Sequence, residues 1–290
     1  MGLAKGVTTT MALRALRIFP IAVTIALSIL GCEAYVSPLA PGDLIKMGKG
    51  FFDAGDYVRA EGLFRDAVKM AEKGDQTALP IALRALAGAY EARGKYDEAA
   101  RCFERLTSLL EKTKGEGNAD LGTVIGDWAW LEGKRREFDK ARTLYRRSQA
   151  ILEKSLGPNH PRVAVSIHNR AILSYVEGDY AGAEALYRQA VSMLDATPEA
   201  RYPELAQALA SLGEVLLSQK RYAEAEPVLR RAISIAEESG GPDDRFLLGA
   251  LHDYAAVLEA MGREVEAKNV RLRVDSLRSK MASRKTGRPG

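Results

Sequence analysis

Cysteine and histidine are almost missing: among 290 residues stand two of the first, Cys32 and Cys102, and three of the second, His160, His168 and His252. Two thiols can form one bridge at most, which excludes a disulfide framework. A His/Cys metal cage has too few ligands to draw on. Aromatic residues make up only 7% and proline only 11 positions, poor material for a strand-rich or fibrous protein. Charged residues interrupt every apolar stretch long enough to cross a bilayer, so a polytopic membrane protein is excluded. No phosphate loop, GxSxG, HExxH or Ca²⁺ loop occurs either, so nothing favours an enzyme and no cofactor or metal is implied.

What is plentiful is alanine, 44 residues of it, in a chain 47% apolar and 28% charged. That is too apolar for general disorder, and it favours helix. The formal charge of +4 is unevenly spread. Residues 1–31 carry +3 and residues 271–290 carry +6, so by difference the body between them is acidic, at −5. A nucleic-acid-binding domain would need its basic residues on that body.

At the amino end, Lys5, Arg14 and Arg17 precede an apolar run from Ile18 to Leu30, with no acid before Glu33. A basic start followed by a run of this length has the pattern of a secretory signal. The run ends Ile29-Leu30-Gly31-Cys32, which resembles a bacterial lipoprotein signal, although Leu30 is bulkier than the small residue usual there. The resemblance implies cleavage after Gly31, acylation of Cys32 and attachment to the membrane through lipid alone. Glu33 in place of Asp implies sorting to the outer membrane, facing the periplasm.

From there on the chain repeats. Ala60, Ala99, Ala141, Ala183, Ala225 and Ala267 align at spacings of 39, 42, 42, 42 and 42. Twelve residues before them stand Gly48, Ala87, Ala129, Ala171, Gly213 and Ala255, all small; sixteen before stand Leu44, Leu83, Ile125, Ile167, Leu209 and Leu251, all aliphatic. Three before stand Tyr57, Tyr96, Phe138, Tyr180 and Tyr222, and four after stand Phe64, Phe103, Tyr145, Tyr187 and Leu229. Small and aliphatic residues four apart share one helix face. Gly55, Gly94, Gly178 and Gly262 mark the turn to a second helix. Such a pair cannot bury its apolar face alone, so the units must stack.

These columns resemble the tetratricopeptide repeat family. The 42-residue pitch and Ser155-Leu156-Gly157-Pro158-Asn159-His160-Pro161 are similar to the kinesin light chain type. The resemblance implies an all-α, right-handed superhelical solenoid of six antiparallel helix pairs over residues 43–280. It would be preceded by a signal at 1–31 and a lipidated tether at 32–42, and followed by a basic disordered tail at 281–290. Arg136 departs from the turn glycine in the third unit, and Glu264 and Arg271 break the aromatic columns in the sixth.

In this family the first helices line the inner groove. The row Asp127, Asn169, Ser211, Asp253 resembles the asparagine ladder that holds a peptide backbone, although only Asn169 keeps the amide, which both donates and accepts. Trp130, His168, Asn169, Tyr175, Ser211, Glu214 and Leu217 are the candidate peptide-binding residues, mixing apolar anchors with polar groups. Of the neighbours Trp128 and Trp130, one is expected to pack between units. Arg170 interrupts an apolar column of Met47, Leu86, Trp128, Leu212 and Tyr254; it should snorkel out or pair with an acid. The function expected is a non-enzymatic, lipid-anchored interaction scaffold of the cell envelope that binds a protein or extended peptide. A groove for a small envelope ligand such as a peptidoglycan fragment, or a self-associating structural solenoid, are the alternatives.

Overall fold

A computed structural model describes residues 39–197, 202–238 and 244–286. Over this range the protein is twelve α-helices and one 3₁₀ turn, with no strand among the described residues. The helices are α1 Pro41–Asp53, α2 Tyr57–Lys73, α3 Leu79–Ala92, α4 Tyr96–Lys114, α5 Ala119–Lys134 and α6 Phe138–Leu156. They continue as α7 Pro161–Val176, α8 Tyr180–Asp195, α9 Tyr202–Ser218, α10 Tyr222–Glu238, α11 Asp244–Ala260 and α12 Glu264–Thr286. Odd and even helices pair into six antiparallel units, each stacked on the next.

Local chemistry sets the boundaries. Pro41 and Pro161 open α1 and α7, where the missing N–H would find no partner in any case. Asp56, Asn118 and Asp179 cap α2, α5 and α8 by accepting from backbone N–H groups at 3.1, 2.8 and 2.9 Å, a typical N-cap. His160 does the same with Nδ1, accepting from Arg162 N–H at 3.1 Å. Within units the chain reverses through a left-handed residue, glycine at 55, 94, 178 and 262. Arg136 and Lys220 adopt the same conformation at φ +64° and +60°, a position that costs a residue with a side chain about 1 kcal/mol.

Two boundaries differ from the sequence expectation. The tether expected over 32–42 loses its last two residues to α1, because Pro41 is a helix starter. The basic tail expected from 281 is helical to Thr286, since no residue before Gly287 breaks a helix. The signal, Cys32 and the rest of the tether lie outside the described residues. No helix among the described residues is long and apolar enough to cross a membrane.

The core follows the repeat columns. Each alignment alanine is at most 1% exposed, which lets paired helices approach closely. The small column meets the large one within a unit: a Cβ added to Gly48 would come within 2.5 Å of the Phe64 ring, and one on Gly213 would strike Leu229. One buried cluster runs from Leu44 in α1 to Tyr145 in α6, with Leu173; a second runs from Ala164 in α7 to Val274 in α12. A small group of Leu152, Val163, Ile167 and Ala190 lies between them.

Ion pairs tie successive second helices together. An acid twelve residues after the alignment alanine meets an arginine six after the next: Glu72 with Arg105 at 2.5 Å, Glu111 with Arg147, Asp195 with Arg231, and Glu237 with Arg273. At the junction of the third and fourth units these positions hold Glu153 and Gln189, and the rung is missing.

Candidate functional site

First helices of successive units lie against each other, α1 with α3, α5 with α7, α7 with α9 and α9 with α11. The stack therefore bends toward them, and they line its inner face. Glycine, alanine and polar residues one turn from the core stripe make that face an open groove.

In units three to six the groove carries a polar row. Asp127 on α5 accepts from Arg84 Nη2 on α3 at 2.7 Å; burial, with a smaller push from Glu91, still raises its carboxyl above the usual range. His168 on α7 is only 5% exposed. Its Nε2 lies 3.2 Å from Ser211 Oγ on α9, its Nδ1 3.5 Å from Asn169 Oδ1, and its ring 5.2 Å from that of Tyr187. Burial lowers its pKa to about 4, so the ring is neutral and serves as the groove's floor. Tyr175 Oη stands 3.1 Å from Ser218 Oγ, and the Tyr175 ring packs 5.4 Å from that of Tyr180. Glu214 is exposed. Partial desolvation of its carboxylate, together with the charge of Asp253, raises its pKa, which Tyr175 only partly offsets. Asp253 is raised mainly by burial, and His252 beside it opposes the shift.

The sequence-derived residues thus fall into three settings. Asn169, Tyr175, Ser211 and Glu214 line the groove together, the first three half-buried. His168 lies beneath them and offers no ring surface, which corrects its expected place among the contact residues. The apolar surroundings of its first-helix position bury it. Leu217 is half-buried against the second core cluster. Trp130, 37% exposed, belongs to a separate cavity of about 370 Å³ with Phe138, Tyr145, Ile172 and Val176, where Lys134 Nζ sits 5.3 Å above its ring. Trp128 is the tryptophan that packs into the core; its Nε1 donates to the buried Glu132 at 2.7 Å.

A second depression, about 560 Å³, has no counterpart among those residues. Ile45, Phe52, Ile81, Ala85 and Val124 line it in units one to three, with Lys49, Arg84 and Arg162 nearby. Ile81, 60% exposed and off the core stripe of α3, is the sequence signal that points to it. Among the described residues no group of three His, Cys, Asp or Glu could hold a metal ion. Cys102 is buried, and its thiol is pushed up to about 11 by desolvation, the opposite of an activated nucleophile.

Stacked helix pairs with an open inner groove define an interaction solenoid, a scaffold that presents one continuous face to another protein. The chain belongs to the tetratricopeptide repeat family, whose model matches residues 44–112, 120–196 and 204–270. No curated protein sequence matches. Among solved structures, BtubC (BKLC) from P. vanneervenii is 23% identical with a TM-score of 0.60, over 69% of this chain and 81% of that one. A putative kinesin light chain with nearly identical TPR-like repeats, from Podosopora anserina, is 21% identical at 0.56, over 69% and 95%. A Rap protein complexed with Competence and Sporulation Factor is 17% identical at 0.61, over 84% and 76%. At these identities the likeness shows the fold.

Proposed function

We propose that this protein is a lipid-anchored scaffold of the bacterial cell envelope that holds an extended peptide, or a segment of a partner protein, in the groove of units three to five. The row Asn169, Ser211, Tyr175 and Glu214 carries the reading. Asn169 and Ser211 stand one 42-residue pitch apart and, with Tyr175 and Glu214, offer amide, hydroxyl and carboxylate groups; peptide N–H and C=O groups bonded there would keep the partners they lose with water. The 42-residue pitch shared with kinesin-light-chain-type repeats supports a peptide ligand. The Cys32 lipobox and the basic start before Ile18 support the anchor, and Glu33 supports outer-membrane sorting with the solenoid in the periplasm.

Two experiments test the two halves. Replacing Cys32 with Ser should abolish acyl labelling and leave the precursor uncleaved; unchanged labelling contradicts the anchor. A double change, Asn169→Ala with Tyr175→Ala, should weaken partner binding by about 2 kcal/mol, near thirtyfold. Helical circular dichroism should stay at the parental level, because both positions are only half-buried and the buried columns that hold the helix pairs are untouched. Binding at full strength by a folded double variant contradicts the groove.

A further inference from the structure

The junction of the third and fourth units departs in charge from the three junctions that carry a glutamate, and it lacks the rung as well. One residue after the alignment alanine, units one, four and five carry Glu61, Glu184 and Glu226, whereas unit three carries Arg142. Those acids reach cations of the next unit, Glu61 to Lys95 at 3.1 Å, Glu184 to Arg221 at 2.5 Å and Glu226 to Arg263 at 2.7 Å. Arg170, in a column otherwise apolar, faces the same junction. With Arg142 and Arg146 of α6 it lines a small cavity of about 60 Å³, closed by Leu173 and Ser174 of α7 and Leu186 of α8.

Three arginines line it, and among the described residues only Arg142 forms ion pairs. Arg142 binds Asp139 and, at 3.0 Å, Glu177. Arg170 donates to the neutral Gln149 and forms no ion pair among the described residues, so it neither snorkels clear nor meets there the acid expected of it. Glu153, whose charge favours the Arg170 cation without an ion pair to it, accepts from Gln149 Nε2 at 2.7 Å. Arg146 has no carboxylate partner among the described residues. A half-buried cation left without a counter-charge is costly, and a planar guanidinium fork matches an oxyanion's paired oxygens. The cavity exceeds the roughly 10–15 Å³ of such space that one water needs, so it admits a small ion and is too small for a nucleoside.

We propose that this junction binds a tetrahedral oxyanion, a phosphate held between Arg146 and Arg170 with the Ser174 hydroxyl at hand, and that the bound ion ties unit three to unit four. It would supply the negative charge that Arg146 and Arg170 receive from no ion pair among the described residues, Glu177 being taken by Arg142. The site lies apart from the groove row of Asn169 and Tyr175, so it stands or falls independently of the peptide reading.

Calorimetric titration of the full chain in neutral detergent tests this, with inorganic phosphate against chloride at matched ionic strength. Saturable phosphate binding is expected, and Arg146→Gln and Arg170→Met should each weaken it by about tenfold or more, as charge-assisted contacts do. Methionine suits the position, since Met47 fills the same column in unit one. Without phosphate the Arg170→Met protein should melt above the parent; phosphate should raise the melting point of the parent alone. Parallel titrations with glycerol phosphate distinguish a free ion from a phosphomonoester, and arginine-dependent binding of either supports the site. No saturable heat with either compound overturns it, as does binding unchanged in both variants. Should Arg170→Met fail to fold, Arg146→Gln, an exposed change, decides alone.

Discussion

His168 is neutral because the stack buries it, and this has a signed consequence. Its folded pKa of about 4 lies below the ordinary 6.5, so between those values the unfolded chain binds the proton and the folded chain does not. Stability is therefore full above pH 6.5 and falls as the pH drops toward 4, by up to about 3 kcal/mol from this group. Asp127, Glu214 and Asp253, with raised carboxyls, act in the opposite sense, so the parent's net slope is shallower than His168 alone would give. Replacing His168 by Gln, which can still bond Ser211, should flatten the histidine contribution in chemical denaturation at pH 4.5, 5.5 and 6.5. An unchanged difference between parent and variant across that range would mean the ring is not buried neutral. Sequence reasoning placed His168 on a first helix but not beneath the groove surface. Adjacent residues on a helix differ by 100° in direction, and whether one faces outward or into the next unit depends on how the units stack.

Each helix pair was largely legible from spacing, because one small-to-large pattern recurs in the first five units. The small residue twelve before the alignment alanine meets the large residue four after it, as Gly48 meets Phe64 and Gly213 meets Leu229. Gly213→Ala should lose about 1–3 kcal/mol through overpacking, despite alanine's better helix propensity, measured as a lower urea midpoint. A gain in stability would show that Leu229 has room to move. The turn residues were legible where glycine stands. Arg136 and Lys220 hide the same left-handed turn, since a side chain there reads locally as helix. The end of α12 was misplaced for a related reason: Ser283 to Thr286 looks like tail by composition, yet no breaker precedes Gly287.

Along the whole molecule, stacking creates features that no single unit contains. The rungs from Glu72 to Arg105 and from Glu237 to Arg273 join residues 33 and 36 apart, a separation visible only once the columns are laid side by side. Each exposed pair is worth under about 1 kcal/mol, so they set register more than stability. Ile81 was the one trace in the sequence of the apolar depression of units one to three, because the depression belongs to the curvature, and curvature comes from small angles between units. The groove's occupant is the central claim, and site-specific photocrosslinking in cells tests it most directly. A photoreactive phenylalanine analogue at position 175 or 214 should give a discrete adduct with a partner. The same analogue at Arg147 or Arg231, on the second helices, should give none. Adducts formed from 147 and 231 while 175 and 214 stay silent would place recognition on the outer face and contradict the account.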